Sequence, residues 1–319
     1  MKLLYYFPHR HLMLSVPFAL FIGLVIGLFF DMSFLAPTIL VGTIVMIYPT
    51  MIGFPIKQAF NLTDRKLIFS AIGFNFIVIP LIAWGIGLSI LGSEPLMFAG
   101  LAIAALLPTS GMTISWTAMS NGNVSSAIKL TVFGLLIGAI LAPFYLLAMV
   151  GQYVHVELFG IIRTVATVVL IPMILGGITF RIMKRSYTED VIRKQVKPKW
   201  QPLSMWGMVY IVFASTSMRA DILINHLEQL GLAVIALIIF YALIFTISTL
   251  IGRHWFALEN AYAFVYGTAL RNLSIAMGIA VTTFGTEAAL LITLAFLVQQ
   301  QMVVFYSRGA KNYHWLGSN

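Results

Sequence analysis

The chain has 319 residues, of which 60% are hydrophobic and only 9% are charged, and its mean hydropathy is +0.97. Soluble domains carry about 25% charged residues, so this composition excludes a water-soluble globular protein and predicts an all-α membrane protein. The net charge of +9 does not indicate a nucleic-acid partner, because the basic residues of a membrane protein are distributed according to the side of the membrane on which they lie. The absence of cysteine excludes disulfides and thiolate metal sites.

Apolar stretches follow one another along the chain, each long enough, or nearly so, to cross a hydrocarbon core about 30 Å thick. They lie at about 12–30, 34–56, 67–91, 95–119, 124–150, 157–181, 202–218, 229–251, 259–284 and 287–306. The first stretch lacks a small-residue cleavage site, which favours a retained span over a signal peptide. The sequence therefore predicts a multi-pass protein of about ten transmembrane helices in the lipid bilayer.

Charge distribution predicts the orientation of these spans. The turns after the odd-numbered spans are poor in Lys and Arg and contain Asp31, Glu94 and Glu287, whereas the opposite side carries Arg253 and a basic loop. By the positive-inside rule, both termini are cytoplasmic, and we predict the plasma membrane of a prokaryote. The basic loop at 183–201 is interpreted as a linker between 1–182, with spans one to six, and 202–319, with spans seven to ten.

The fourth and ninth spans are each interrupted near the middle. Pro108 removes a backbone donor and Gly111 weakens the helix in the fourth, and Gly267 with the Arg271–Asn272 pair interrupts the ninth. Five spans in each half give a five-plus-five inverted repeat, because an odd number of crossings inverts the second half. Corresponding breaks in two inverted halves indicate a binding site near the bilayer midplane.

Arg271 is the residue least compatible with its predicted surroundings. It lies about 18 Å into the ninth span, where insertion of an Arg costs about 2.5–3.5 kcal/mol. Its available partners are backbone carbonyls at the breaks, the amide of Asn75, water or an anionic substrate. Two interpretations follow: Arg271 binds the substrate or acts in coupling, or it ties the broken helix ends together.

Lys129 also has two interpretations. Its stem can extend to the cytoplasmic surface, or its ammonium can approach the break at Pro108 in the position of a bound cation. The remaining candidates for a substrate or coupling site are hydroxyl and amide side chains near the breaks, where a cluster favours a polar cavity. They are Asn75, Thr109, Ser110, Thr113, Thr131 and Asn272.

Enzymatic function is not predicted. The histidines lie in loops or at span ends, there is no HExxH motif, and no intramembrane carboxylate pair is present, so we expect no metal site, no cofactor and no catalytic residues. A channel or membrane receptor module is the alternative of another class. A channel would require a continuous polar ring or a filter-like loop, whereas this sequence has discrete midplane clusters.

The run PTSGMTISWTAMSNGNVSSAIKLT from Pro108 to Thr131, with the later Arg271–Asn272 break, resembles the bile acid:sodium symporter superfamily. The resemblance implies that the broken helices cross in a core domain of spans three to five and eight to ten. Spans one, two, six and seven would form a panel domain beside it. It also implies a secondary transporter working by alternating access. Its substrate would be a small-molecule or inorganic anion, either an arsenite-type oxyanion or an organic anion.

The nearest branch is that of the arsenite efflux carriers, whose pattern is similar at Pro108, Met112 and Trp116. Those carriers place a Cys immediately after the proline, where this chain has Thr109. A thiolate is the soft ligand that trivalent arsenic prefers, so this difference bears on arsenite specificity. The resemblance leaves the substrate, the direction of transport and the oligomeric state open.

The sodium sites of the superfamily are only partly kept. The resemblance places Thr113, Thr131 and Asn75 at ligand positions. However, Ile114 stands where an Asn is expected, Ala127 where a Ser is expected and Gly267 where a Glu is expected. Since Lys129 and Arg271 add positive charge nearby, we predict sodium-independent transport in which fixed cations partly replace bound ones. The alternative is a sodium-coupled symporter of bile-acid-like or other organic anions.

Overall fold

The computed structural model describes residues 5–8, 11–55, 64–109, 111–154, 157–218, 220 and 227–317. Apart from one isolated β-bridge, regular structure in these ranges is helical, which confirms the all-α class. Six of the helices are long and apolar enough to span a membrane, while others, such as those at Pro95–Leu106 and Leu273–Thr283, are shorter and apolar. The described part of the chain is therefore that of a multi-pass membrane protein.

The helices are labelled in chain order. The first six are α1 (Leu12–Phe29), α2 (Ile39–Met51), α3 (Arg65–Ile90), α4 (Pro95–Leu106), α5 (Gly111–Met119) and α6 (Val124–Val150). The next six are α7 (Leu158–Met183), α8 (Lys197–Ser217), α9 (Leu227–Trp255), α10 (Leu258–Ala269), α11 (Leu273–Thr283) and α12 (Thr286–Asn312). A 3₁₀ turn at Ser33–Thr38 precedes α2, and a short helical stretch at Glu189–Val196 precedes α8.

The chain divides into two compact units. Unit 1 contains Met1–Phe54, Glu157–Leu230 and Ser274–Thr293, and unit 2 contains Pro55–Val156, Gly231–Leu273 and Leu294–Asn319. In unit 1, α8 packs against α1 and α2 where small residues let the backbones approach. A Cβ added to Gly207 would lie 2.8 Å from the Met46 nitrogen, and one added to Gly27 would collide with the Ser217 carbonyl.

In unit 2, Pro80 lies just after a widened turn of α3 that carries the polar side chain of Asn75. Pro80 has no N–H, and the helix widens to a π-turn over Phe74–Val78 just before it. The Phe76 carbonyl, four residues before Pro80, instead accepts a hydrogen bond of 2.5 Å from the Tyr145 hydroxyl. This widened turn carries Asn75, which is buried.

Candidate functional site

Two unwound segments of unit 2 pair with each other. One follows the end of α4 at Leu106 and the other follows the end of α10 at Ala269, and Pro108 and Arg271 form an antiparallel bridge between them. The Thr109 N–H donates to the Leu270 carbonyl at 2.9 Å, and the Asn272 N–H donates to the Leu107 carbonyl at 2.7 Å. Backbone groups released by the two breaks thus satisfy each other, as they must where water is excluded.

The Arg271 side chain links the ends of both half-helices. It is fully buried, and its Nη1 donates to the Ala105 carbonyl at 3.0 Å. Its Nη2 donates to Asn75 Oδ1 at 2.5 Å and to the Thr268 carbonyl. Ala105 and Thr268 lie in the last turns of α4 and α10, where carbonyls lack helical partners and the helix dipoles are negative. The guanidinium therefore lies where the negative ends of two helices converge.

Two amide side chains complete this cluster. Asn75 donates through Nδ2 to the Gly267 carbonyl at 3.1 Å, so it joins α3 to α10 as well as to Arg271. Gln299 on α12 accepts the Arg271 N–H at 2.7 Å and the Tyr241 hydroxyl at 3.1 Å, and its Nε2 donates to the Arg271 carbonyl at 3.4 Å. Sequence reasoning missed Gln299, although three consecutive glutamines interrupt the last apolar stretch at 299–301.

The positive charge of Arg271 is not balanced by a negatively charged side chain among the described residues. No carboxylate there lies within 4 Å of the guanidinium, and its Nε is buried without a hydrogen-bond partner. The acceptors around it are neutral carbonyl and amide oxygens. The cluster accordingly carries a positive charge that is stabilised by dipoles rather than cancelled by an anion.

Thr109 has an unusual backbone conformation at the first break. Its φ is +60°, a left-handed value that β-branched residues rarely adopt. The hydroxyl donates to the Pro108 carbonyl at 2.7 Å and approaches the Leu130 carbonyl at 3.4 Å. A Cβ on Gly134 would lie 2.8 Å from this hydroxyl oxygen, so α6 passes the break closely because position 134 is glycine. Ser110, also predicted here, lies outside the described residues.

The other predicted hydroxyl groups are bound to carbonyls. Thr113 donates to the Tyr266 carbonyl on α10 at 3.3 Å, whereas Thr131 donates to Ala127 on its own helix at 2.8 Å. Gly267 and Ala127 are both buried, and Ile114 is half-buried. A Cβ added at Gly267 would lie 2.5 Å from Leu130 Cδ1, so a larger side chain there requires Leu130 to move.

Lys129 pairs with a carboxylate that the sequence did not associate with it. Its side chain is 3% exposed, and its Nζ lies 3.3 Å from Asp64 Oδ2. The same oxygen accepts the Ser126 hydroxyl at 2.6 Å. Asp64 immediately precedes α3 and is 25% exposed, so the ammonium lies beside the first turn of that helix, the end that the sequence predicts to be cytoplasmic.

Known proteins resemble the chain over most of its length. Residues 40–226, more than half of the chain, match the profile of the Sodium Bile acid symporter family. The "Uncharacterized protein YbaS" of Bacillus subtilis (strain 168) is 26% identical over 72% of this chain and 74% of its own. The "Arsenical-resistance protein Acr3" of Corynebacterium glutamicum is 22% identical over 79% of this chain and 71% of its own.

A vertebrate protein extends these similarities. The "Sodium/bile acid cotransporter 7-B" of Xenopus laevis is 26% identical over 53% of this chain and 48% of its own length. The profile match covers more than half of the chain and agrees with the resemblance carried by the Pro108 to Thr131 run. The chain belongs to the sodium bile acid symporter family, a family of membrane transporters.

Proposed function

We propose that this protein is a secondary transporter that moves a small anionic solute across the membrane by alternating access without sodium. The observation that carries the proposal is the buried Arg271 guanidinium at the converging ends of α4 and α10. Its charge is permanent, because arginine stays protonated in proteins. A permanent positive charge at this point replaces the charge that a bound metal cation would supply.

Sodium is a hard cation that requires several oxygen ligands, preferably with one anionic group among them. The oxygens that face the crossing, from Ala105, Thr268 and Asn75, already accept hydrogen bonds from Arg271. Position 267, where the family resemblance expects a carboxylate, has no side chain. A sodium ion would therefore have to displace the guanidinium, and no carboxylate of the described residues lies close enough to the guanidinium to replace it as a ligand.

The architecture within this proposal follows the sequence prediction. It has ten spans as a five-plus-five inverted repeat. The 183–201 linker follows span six, so 1–182 contains the first half and the start of the second, and 202–319 contains spans seven to ten. Both termini lie in the cytoplasm of a prokaryote, and the core and panel domains move against each other. Support comes from the paired breaks at Pro108 and Arg271 and from unit 2, which contains α3 to α6, most of α9, and α10. The predicted site residues from Asn75 to Asn272 remain a proposal within it.

Two substrate classes, an arsenite-type oxyanion and an organic anion, satisfy this arrangement. The name of the Corynebacterium glutamicum relative favours the first, and that of the Xenopus laevis relative favours the second. A sodium-coupled symporter is the second candidate function. It is favoured by the name of the Xenopus laevis relative and by the hydroxyls of Thr113 and Thr131, which stand where the resemblance places sodium ligands.

The test is flux in proteoliposomes that contain the purified full chain. Arsenite and a panel of labelled monocarboxylates are offered with sodium or potassium as the only metal cation, and with a proton gradient imposed or collapsed. We expect saturable uptake at equal rates in sodium and potassium. Uptake that scales with the sodium gradient would overturn the sodium-independent mechanism, and uptake that never saturates would indicate a channel.

Matched variants separate a specific role of Arg271 from general loss of protein. Arg271→Gln should lose transport, while Arg181→Gln, which changes an exposed arginine at the end of α7, should retain it. Equal transport by both variants would remove Arg271 from the mechanism. Protein-free vesicles provide the baseline for leakage.

A further inference from the structure

Unit 2 contains a small cavity of about 250 Å³ where α3 begins at Arg65 and α9 ends at Trp255. Since α3 and α9 are long and apolar enough to span a membrane, their ends place the cavity at a membrane surface. The sequence predicts that this surface is cytoplasmic, the side on which anionic lipids attract basic residues. Residues that line the cavity include Asp64, Arg65, Lys66, Trp255, Phe256 and Asn260.

Two cations in the wall are available to a negatively charged ligand. Arg65 and Lys66 are both exposed, and no carboxylate of the described residues lies within 4 Å of either side chain. The Lys66 Nζ donates to the Trp255 carbonyl at 3.2 Å and lies 5.7 Å from the centre of the Phe256 ring. An ammonium has three donors, so two of them remain for a ligand. The wall therefore holds a guanidinium and a positioned ammonium next to each other.

Negative charges near the cavity are outnumbered by positive ones. Asp64, which lies in the wall, already contacts Lys129 at 3.3 Å. Glu259 lies in the first turn of α10, and Arg253 lies in the last turn of α9. In and next to the wall, the described residues include four cations and two carboxylates, namely Arg65, Lys66, Lys129, Arg253, Asp64 and Glu259. This positive balance favours an anion.

Exposed aromatic side chains continue from these cations along the membrane-spanning part. Phe69 follows Arg65 by four residues, so both lie on one face of α3, with Phe69 one turn further into the span. Phe69 is 63% exposed and Trp255 is 54% exposed. Tryptophan is typical of the boundary between headgroups and acyl chains. A soluble anion would contact the cations alone, whereas a phospholipid would contact both the cations and the aromatic side chains.

We propose that this cavity binds the phosphate of an anionic phospholipid. Arg65 holds the phosphate through two parallel hydrogen bonds, and Lys66 donates a further one. The acyl chains lie along Phe69 and Trp255. The inference goes beyond the proposed transport function, because it assigns a lipid partner to unit 2 and does not depend on which solute is carried.

Native mass spectrometry of the purified, delipidated full chain tests this binding. The probes are dioleoylphosphatidylglycerol, dioleoylphosphatidylcholine with the same acyl chains, and soluble sn-glycerol 3-phosphate. We expect the first phosphatidylglycerol to bind at least about tenfold more tightly than the first phosphatidylcholine, because only the former has a net negative charge. Glycerol 3-phosphate should bind far more weakly than phosphatidylglycerol, since it lacks acyl chains.

Two outcomes of this titration would overturn the proposal. Equal affinities for phosphatidylglycerol and phosphatidylcholine would show that the cations do not select an anionic headgroup. Glycerol 3-phosphate that binds as tightly as phosphatidylglycerol would identify a site for a soluble phosphate instead of a lipid.

Paired variants separate this cavity from surface charge in general. Arg65→Gln combined with Lys66→Gln should weaken phosphatidylglycerol binding at least about tenfold, because each cation contributes a factor of about five near an anionic lipid. The control is Arg181→Gln combined with Arg185→Gln, which removes the same charge from exposed residues of unit 1 that do not line the cavity. It should change the affinity by less than about twofold. Equal losses in both pairs would overturn the assignment to this cavity.

Tryptophan fluorescence locates the lipid without removing a charge, and so also covers the case in which the charge variants do not fold. Phosphatidylglycerol brominated on its acyl chains should quench the wild type more than brominated phosphatidylcholine does. This excess quenching should disappear in Trp255→Phe, although five other tryptophans remain. An excess that persists unchanged in Trp255→Phe would place the bound lipid elsewhere and contradict the proposal.

Discussion

Two cations are buried among the described residues of unit 2, and they are stabilised in different ways. Lys129 contacts the carboxylate of Asp64, so the pair is electrically neutral. Arg271 contacts carbonyl and amide oxygens at the ends of two helices, and its formal charge is not cancelled within the described residues. Desolvation of a charge can be offset by an opposite charge or by converging dipoles. Only the second arrangement leaves a net positive charge at the crossing.

The largest difference between the two cations is expected on removal of Arg271. Arg271→Met would leave the Ala105 and Thr268 carbonyls and the Asn75 amide oxygen without their charged donor. Since hydrogen bonds to charged groups contribute about 1.5–3 kcal/mol each, the free energy of unfolding should fall by about 4 kcal/mol or more. Reversible unfolding by a denaturing detergent in mixed micelles measures this change.

Arg181→Met is the control for this measurement, because Arg181 is exposed and its loss should change stability by less than about 0.5 kcal/mol. If the loss for Arg271→Met were below about 1 kcal/mol, the crossing would not depend on the cation. The guanidinium contacts would then be incidental to the fold.

The next prediction concerns a variant in which a bound sodium ion replaces the positive charge of Arg271. Gly267→Glu supplies a carboxylate, Arg271→Gln removes the fixed cation, and Leu130→Ala clears the space that a Cβ at position 267 requires. The triple variant should be stabilised by sodium but not by choline. At ten times its dissociation constant, sodium would add about 1.4 kcal/mol to the free energy of unfolding.

The control for this variant is Leu130→Ala with Arg271→Gln, which lacks the new carboxylate and should not respond to sodium. The wild type should not respond either. A wild type that sodium stabilises as strongly as the triple variant would show that the guanidinium does not occupy the cation position.

Sequence reasoning located Arg271 better than it located its partners. Proline, glycine and a charged residue inside apolar stretches predicted both breaks, and Asn75 was visible as an amide in a span. The choice between a substrate contact and a link between helix ends could not be made, because it depends on where the carbonyls of Ala105 and Thr268 point. The left-handed backbone of Thr109 had no sequence signal at all.

Contacts between residues that are distant in the chain could not be predicted from the sequence for the same reason. Lys129 and Asp64 lie in different helical regions, and nothing in a single sequence indicates that they meet.

A double-mutant cycle on the neutral pair gives the third prediction. Lys129→Met and Asp64→Asn should each destabilise the protein, and the double variant should lose less than the sum of the two. We expect a coupling energy of about 1–2 kcal/mol, between the values for surface and buried pairs, because Asp64 is 25% exposed. A coupling energy near zero would show that the pair is a contact without energetic consequence, and the comparison with Arg271 would lose its neutral member.

The smallest effect concerns two hydroxyls close to these cations. Thr113 bonds the Tyr266 carbonyl on α10, so Thr113→Val removes a contact between helices and should cost about 1 kcal/mol. Thr131 bonds a carbonyl of its own helix, which is already within the helical ladder, so Thr131→Val should change the free energy of unfolding by less than about 0.5 kcal/mol. The same unfolding measurement in mixed micelles compares them. A larger loss for Thr131→Val than for Thr113→Val would mean that the Thr131 hydroxyl has a role beyond α6, as the predicted coupling site requires.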